Sequence, residues 1–232
     1  MNPSVKRFNK INDYKPTNKC ILYLTDDRAA ADFLREKNEA VCIIIDDEEK
    51  LASFDGYRYF ITDGETDNDY LEKVYCHIKN IPYIIGQNDS IIVREECPDD
   101  LKKIYEMYED DACQRFLEAL PSFESIDPES RFESVKSRYM LFGYGMWIVE
   151  KKENNEVIGR VGFEPVDENT VSLGFMITES ERGRGYAKAA ARICIDYLHR
   201  TLPDIKIVAK SHEDNIISRH ILDTLRIEYK HI

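Results

Sequence analysis

The chain predicts an α/β (α+β) protein built in two units, and three observations predict it. Short apolar, β-branched runs alternate with helix-like segments through the first third of the sequence. The turn residues of Gly86-Gln-Asn-Asp-Ser90 then interrupt the pattern. Beyond them a series of strands leads into a two-glycine loop that opens a long, Ala-rich helix. At 232 residues the chain has room for two small domains. The expected division is residues 1–88, a small α/β domain with a mainly parallel sheet, and residues 89–232, a mixed sheet flanked by helices.

In the first unit, residues 1–18 are polar and read as a loose arm with a short ordered piece around Val5 to Ile11. Cys20 to Leu24 is a strand, and Asp26-Asp27 caps the helix from Arg28 to Lys37. Val41 to Ile45 is apolar throughout, as a central parallel strand must be. Tyr57 to Ile61 is a third strand, Thr66 to Lys79 an amphipathic helix, and Ile81 to Ile85 a fourth apolar run. Such alternation predicts parallel pairing with helices as crossovers.

In the second unit, Ile91 to Val93 is a strand and Pro98-Asp-Asp100 starts a helix with carboxylates in its first turn. Cys113 to Leu120 and Glu129 to Met140 continue as helices around a loop at 121–128. Tyr144 to Glu150 and Val157 to Phe163 form a hairpin about the turn at Glu153-Asn-Asn155. Thr170 to Ile177 is a strand, Ala187 to Leu198 a helix, Ile205 to Lys210 a strand, Asn215 to Leu225 the last helix and Ile227 to Ile232 a final strand.

Composition narrows the function. The formal net charge of −12 disfavours nucleic acid, whose phosphates call for basic faces. Membrane association is disfavoured too: no apolar run reaches spanning length and Met1-Asn-Pro-Ser-Val-Lys-Arg lacks a signal core. The six cysteines show no CxxC spacing and sit in apolar runs, so they read as free thiols of a reducing compartment, the cytoplasm. No metal site is expected, because no His or Cys pair falls at ligand spacing.

The chemistry concentrates in Arg182-Gly-Arg-Gly-Tyr-Ala187. Gly183 and Gly185 let the backbone approach a bulky ligand with no Cβ in the way. The helix that follows presents unpaired N–H groups and a partial positive charge, which suit a pyrophosphate, and Arg182 and Arg184 add fixed charge. The loop is no Walker loop and no dinucleotide fingerprint: the Gly-Lys-Ser/Thr ending and the third glycine are absent.

The second unit resembles the GNAT acyl-CoA N-acyltransferases. The resemblance rests on the Ile92-Val-Arg-Glu95 strand with the Asp99-Asp-Leu101 helix start, on the Trp147-Ile-Val and Val157 to Phe163 hairpin, and on Asn215-Ile-Ile-Ser218. Above all, Arg182 to Ala187 fits the family's pyrophosphate loop, Arg/Gln-x-x-Gly-x-Gly/Ala, at every specified position. It implies a GNAT-type mixed sheet and acetyl-CoA as cosubstrate. A bulged, splayed fourth strand at Leu173 to Ile177, with Phe175, Met176 and Ile177, would face the pantetheine, and Gly183, Arg184, Gly185, Tyr186 and Ala187 the pyrophosphate. Arg182 and Asn215 would complete the cofactor site. The acceptor would be a primary amine of a small molecule or a protein N-terminus.

The resemblance also shows departures. The tyrosine that many relatives carry early in the last helix is Leu222 here, which leaves Ser218 as the candidate acid; relatives of the ribosomal-protein acetylating type place a serine there. The strand-four glutamate is Ser172 here, which leaves Glu164 as the candidate base. Leu225-Arg-Ile227 replaces a glycine turn, and one strand of the usual C-terminal hairpin is expected to be missing. The open sheet edge would then be covered by a homodimer partner or by the first unit. Without the tyrosine and the glutamate, a non-catalytic acyl-CoA sensor is the alternative function, and a phosphotransfer module in the first unit a weaker one.

Overall fold

The computed structural model describes residues 2–64 and 67–231. The chain falls into two units, Met1–Tyr83 and Ile84–Ile232.

The first unit is a four-stranded parallel sheet in the order β1 (Ser4–Arg7), β2 (Ile21–Thr25), β3 (Ala40–Ile44), β4 (Phe60–Ile61). The polar arm contributes a strand because β1 is an edge. Its four side chains are all exposed, so main-chain pairing to β2 asks nothing apolar of them. Alternation along β2 and β3 sends Ile21, Tyr23, Val41 and Ile43 to one face and Leu22, Ala40, Cys42 and Ile44 to the other. Helix α1 (Arg28–Glu36) packs Ala30, Ala31 and Leu34 on the first face, and α2 (Asn68–Ile78) packs Leu71, Val74 and Tyr75 on the second. Asp27 caps α1 by accepting from the Ala30 N–H at 2.8 Å. Thr66, expected to open α2, lies outside the described residues.

The second unit is a seven-stranded mixed sheet in the order β11-β10-β9-β8-β7-β6-β5. Its strands are β5 (Ile84–Gln87), β6 (Ile91–Arg94), β7 (Met146–Lys151), β8 (Val157–Asp167), β9 (Thr170–Ile177), β10 (Lys206–Ser211) and β11 (Glu228–His231). β5 to β9 pair antiparallel, while β9, β10 and β11 run parallel. The boundary therefore falls earlier than the turn residues suggest. Gly86 to Ser90 belong to the β5–β6 hairpin, where the Asn88 side chain accepts from Ser90 and Ile91, and the apolar run at 81–85 divides between the units.

Helices α3 (Asp100–Tyr108), α4 (Asp111–Phe116) and α5 (Pro128–Phe142) precede the central hairpin. Ile104 and Met107 of α3 and Cys113 of α4 pack against Ile148 and Met176 on one face of the sheet. Helix α6 (Tyr186–Thr201) packs across β5, β6, β8 and β9. There Trp147 meets Phe163 and Tyr197 edge-on at ring distances of 6.0 and 5.4 Å. Helix α7 (Ile216–Leu225) lies on β10 and β11. It ends on Arg226 at φ +59°, the left-handed cap that a glycine usually fills.

Candidate active site

The site begins where two parallel strands part. Thr170 to Leu173 of β9 pair in register with Lys206 to Ala209 of β10. Gly174 to Ile177 continue on β8 alone, while Lys210 and Ser211 of β10 continue on β11 alone. The main-chain edge of β9 beyond Leu173 thus lies open to an extended amide-bearing ligand that pairs as an added strand would. The strand is splayed, as the resemblance implied, but the bulge lies elsewhere. β8 and β9 stay in register from Gly159–Ile177 to Pro165–Val171, and the irregularity falls between Pro165 and Asp167, where proline has no N–H for the ladder.

At the C-terminal end of β9 a short turn, Glu179–Glu181, leads to the glycine loop. Gly183 (φ +77°) and Gly185 (φ +83°) both hold left-handed backbone, and among the described residues, chain neighbours aside, no atom stands within 4 Å of where either Cβ would be. The loop is therefore an open cradle. α6 starts at Tyr186, and Ala189 bonds back to the Gly185 carbonyl at 3.0 Å, so the N–H groups of Tyr186, Ala187 and Lys188 lie ahead of the first helical bond. Gly185 brings no capping side chain. This is the arrangement that binds pyrophosphate at a helix N-terminus.

The two arginines part company. Arg184 is 57% exposed at the mouth of the loop, 3.3 Å from Glu181. Glu181 is buried and accepts from the Lys151 ammonium at 3.0 Å, holding that amine above its ordinary range. Arg182, expected among the phosphate ligands, instead donates Nε to the Ile177 carbonyl (3.0 Å) and Nη2 to Asp110 Oδ1 (2.6 Å). Asp110 also caps α4 through the N–H groups of Ala112 and Cys113. Burial alone would raise its carboxyl, but the bonds from Arg182 and those two amides outweigh burial and hold it below the usual range. Arg182 thus ties the end of β9 to α4.

Cross-strand register shapes the other half. Residues directly opposite in an antiparallel pair share a face. Arg160–Met176, Gly162–Gly174 and Glu164–Ser172 are such pairs, and Met176 packs with α3 and α4, so all three lie on that side of the sheet. Ser172, the position of the family's strand-four glutamate, therefore has Glu164 beside it, one strand over. Between them lies the Gly162–Gly174 pair, where Gly145 and Met146 backbone stands against Gly162 and the Met146 thioether lies 3.9 Å from the Cβ position of Gly174. Arg160 is buried, with Nη2 on Glu96 at 3.2 Å and Nε without a partner. Burial raises the Tyr108 phenol, and the nearby Arg160 guanidinium opposes it.

Ser218 is half-buried in the first turn of α7, its N–H bonded to Asn215 Oδ1 at 3.1 Å. That bond makes Asn215 the helix cap. Leu222 is fully buried one turn on, an aliphatic core position. Tyr144 is a packing residue against Phe163, and the His212 ring lies 5.6 Å from Phe116. Sequence reading passed over Asp110, Arg160 and Tyr108. Asp110 is separated from its partner by 72 residues, and nothing local marks the pair.

Comparison with known proteins agrees with this geometry. Residues 90–228 match the acetyltransferase (GNAT) domain. A curated relative, the uncharacterized N-acetyltransferase YjdG of Bacillus subtilis (strain 168), is 30% identical over 125 residues, which are 50% of this chain and 70% of that protein. An acetyltransferase structure from Agrobacterium tumefaciens str. C58 aligns with a TM-score of 0.52 at 20% identity, over 60% of this chain and 81% of that one. RimL, a ribosomal L7/L12 α-N-protein acetyltransferase, aligns in its apo form with a TM-score of 0.50 at 18% identity, over 62% and 80%. The structural likenesses speak for the fold, and the domain match, spanning more than half of the chain, places this protein in the GNAT acetyltransferase family as an acyltransferase.

Proposed function

We propose that this protein is an acetyl-CoA-dependent N-acetyltransferase that moves the acetyl group directly to a primary amine, on a small molecule or a protein N-terminus. The observation that carries the reading is the wedge between β9 and β10 opening beside the empty-sided Gly183–Gly185 cradle. The pantetheine adds to the main-chain edge of Gly174 to Ile177, with Phe175 and Met176 alongside. The pyrophosphate takes the amides of Gly183 to Lys188, and Arg184 supplies mobile positive charge.

The acetyl group then lies by the Gly162–Gly174 pair and the Met146 thioether, beside Glu164. Glu164 removes the proton of the acceptor ammonium, directly or through water. The free amine attacks the thioester carbonyl, the tetrahedral intermediate loses its second N–H proton to solvent, the C–S bond breaks, and the departing sulfur takes a proton from the Ser218 hydroxyl, which recovers one from solvent. Asn215 orders the start of α7 so that Ser218 is held in place. A reducing compartment such as the cytoplasm suits the six free cysteines; burial lifts the Cys42 thiol to about 12 and Cys113 to about 11, so both are inert.

The test is release of free CoA thiol from acetyl-CoA on addition of a panel of amines, with the acetamide product identified by mass. CoA release matched by amide formation is the expected result. Acetyl-CoA binding without amide formation on any amine or N-terminal peptide would overturn the transfer.

A further inference from the structure

Gly174 stands in the interior of β9, yet neither its backbone nor its packing calls for glycine. Its φ lies outside the left-handed region. Among the described residues, chain neighbours aside, a Cβ there would meet only the tip of Met146, Sδ and Cε each at 3.9 Å, an ordinary contact. Gly162 is different: a Cβ there would run into the Gly145 carbonyl oxygen, so packing accounts for it. A glycine inside a strand weakens it, and one that packing does not require marks a close approach by a ligand. The approach comes from the parted edge. Leu173 is the last residue of β9 paired to β10, so a donor lying along Gly174 to Ile177 ends at Gly174. The glycine cradle follows Ile177, so the end at Gly174 is the thioester end.

Met146 reaches that end from two strands away. Met146, Gly162 and Gly174 form one cross-strand row and share the face of α3 and α4. The absent side chain of Gly162 lets the Met146 side chain cross β8. Its main chain is fixed, because the Tyr139 hydroxyl donates to the Met146 carbonyl at 2.5 Å and accepts from the Glu96 N–H at 3.3 Å. The side chain is half-buried, unbranched and soft: a movable end on a fixed stem.

We propose that Met146 sets the length of the acyl group this protein accepts, by closing the thioester end of the donor site over Gly174. The inference rests on the donor site proposed above and names the residue that decides which acyl group that site carries. The methyl of an acetyl group comes to rest against the thioether. Each further methylene has to push the Met146 tip aside. In the next row of the same face Ile148 and Met176 are already packed under α3 and α4, so a longer chain finds no bypass there. The thioether yields to one added methylene and excludes a longer chain.

The test is calorimetric titration of the full chain with CoA, acetyl-CoA and butyryl-CoA, with no amine present so that the thioesters stay intact. Each affinity is read relative to free CoA, which carries no acyl group. The wild type binds acetyl-CoA at least about tenfold tighter than butyryl-CoA, the discrimination that extra methylenes meet in a closed pocket. Met146→Ala brings that ratio to within about threefold. Gly174→Ala acts from the opposite wall, where a Cβ fits, and serves also if Met146→Ala does not fold. It weakens acetyl-CoA by at least about fivefold relative to CoA, as overfilling a packed site does. Butyryl-CoA bound as tightly as acetyl-CoA by the wild type, a ratio unchanged in Met146→Ala, or an acetyl-CoA to CoA ratio unchanged in Gly174→Ala would each overturn the proposal. CoA binding without acyl preference counts against Met146 alone, and no CoA binding by the wild type against the donor site and Met146 together. Acyl preference without transfer to any amine would support Met146 and count against the transfer reaction.

Discussion

The donor half and the acceptor half of this site are built from different material. The donor half is main chain: two glycines with left-handed backbone, the amides that open α6, and an unpaired edge of β9. In the proposed mechanism the acceptor half is side chains: Glu164 from β8 and Ser218 from α7. Main-chain recognition requires only glycine where a Cβ would intrude, so its signature survives in a six-residue stretch. Side-chain recognition can move between strands while keeping its position in space. Under the proposed mechanism Glu164, the cross-strand neighbour of Ser172, would be such a case.

The contrast breaks most readily at Gly185. Gly185→Glu puts a carboxylate and a strained left-handed residue where the proposed site would hold the pyrophosphate. Acetyl-CoA affinity should fall by at least about 100-fold, some 2.7 kcal/mol, in a protein that still melts cooperatively. Calorimetric titration measures it, and wild-type affinity would remove the loop from the donor site. The next largest effect belongs to the acceptor half. Glu164→Gln should lower kcat by about 10²- to 10⁴-fold, the usual contribution of a general base, with the KM for acetyl-CoA little changed. A change confined to a rise in that KM would put Glu164 in the donor half instead. Ser218→Ala should cost less, about tenfold in kcat, because solvent can also protonate the leaving sulfur. A wild-type rate would leave Ser218 as part of the helix cap alone.

Asp110 tests the seam between the halves. Its carboxyl is held below the usual range in the folded protein, so its stabilising contribution is complete above about pH 4 and is lost as the pH falls through the folded value. The melting temperature of Asp110→Asn should therefore lie below wild type at pH 7 and converge on it toward pH 3. A gap independent of pH would mean that the Arg182 ion pair contributes nothing. The smallest effect is at Arg226, which carries the left-handed cap of α7 without being glycine. Arg226→Gly should add about 1 kcal/mol, a rise of about 2–4 °C in Tm.

These two materials also explain what the sequence disclosed. The strand, glycine loop and helix at 170–201 were legible because their signals are local: β-branched runs, two glycines and an Ala-rich helix. The cap at Asp27 was legible for the same reason. Strand β1 was hidden because an edge strand with four exposed side chains has no apolar pattern to show. The unit boundary was misplaced because Gly86 to Ser90 have turn chemistry whether they link domains or close a hairpin. Arg182 was read from its motif, yet its partner lies 72 residues away, and pairings at such range come only from the fold. Glu164 could be named, but its place beside Ser172 needed the strand register.

Amide hydrogen exchange with and without acetyl-CoA tests most directly the claim that the donor is held by main chain. Binding should slow exchange at Gly174 to Ile177 and at Gly183 to Lys188, and leave β1 to β4 unchanged. Acetyl-CoA binding with unaltered exchange in both segments would contradict the account.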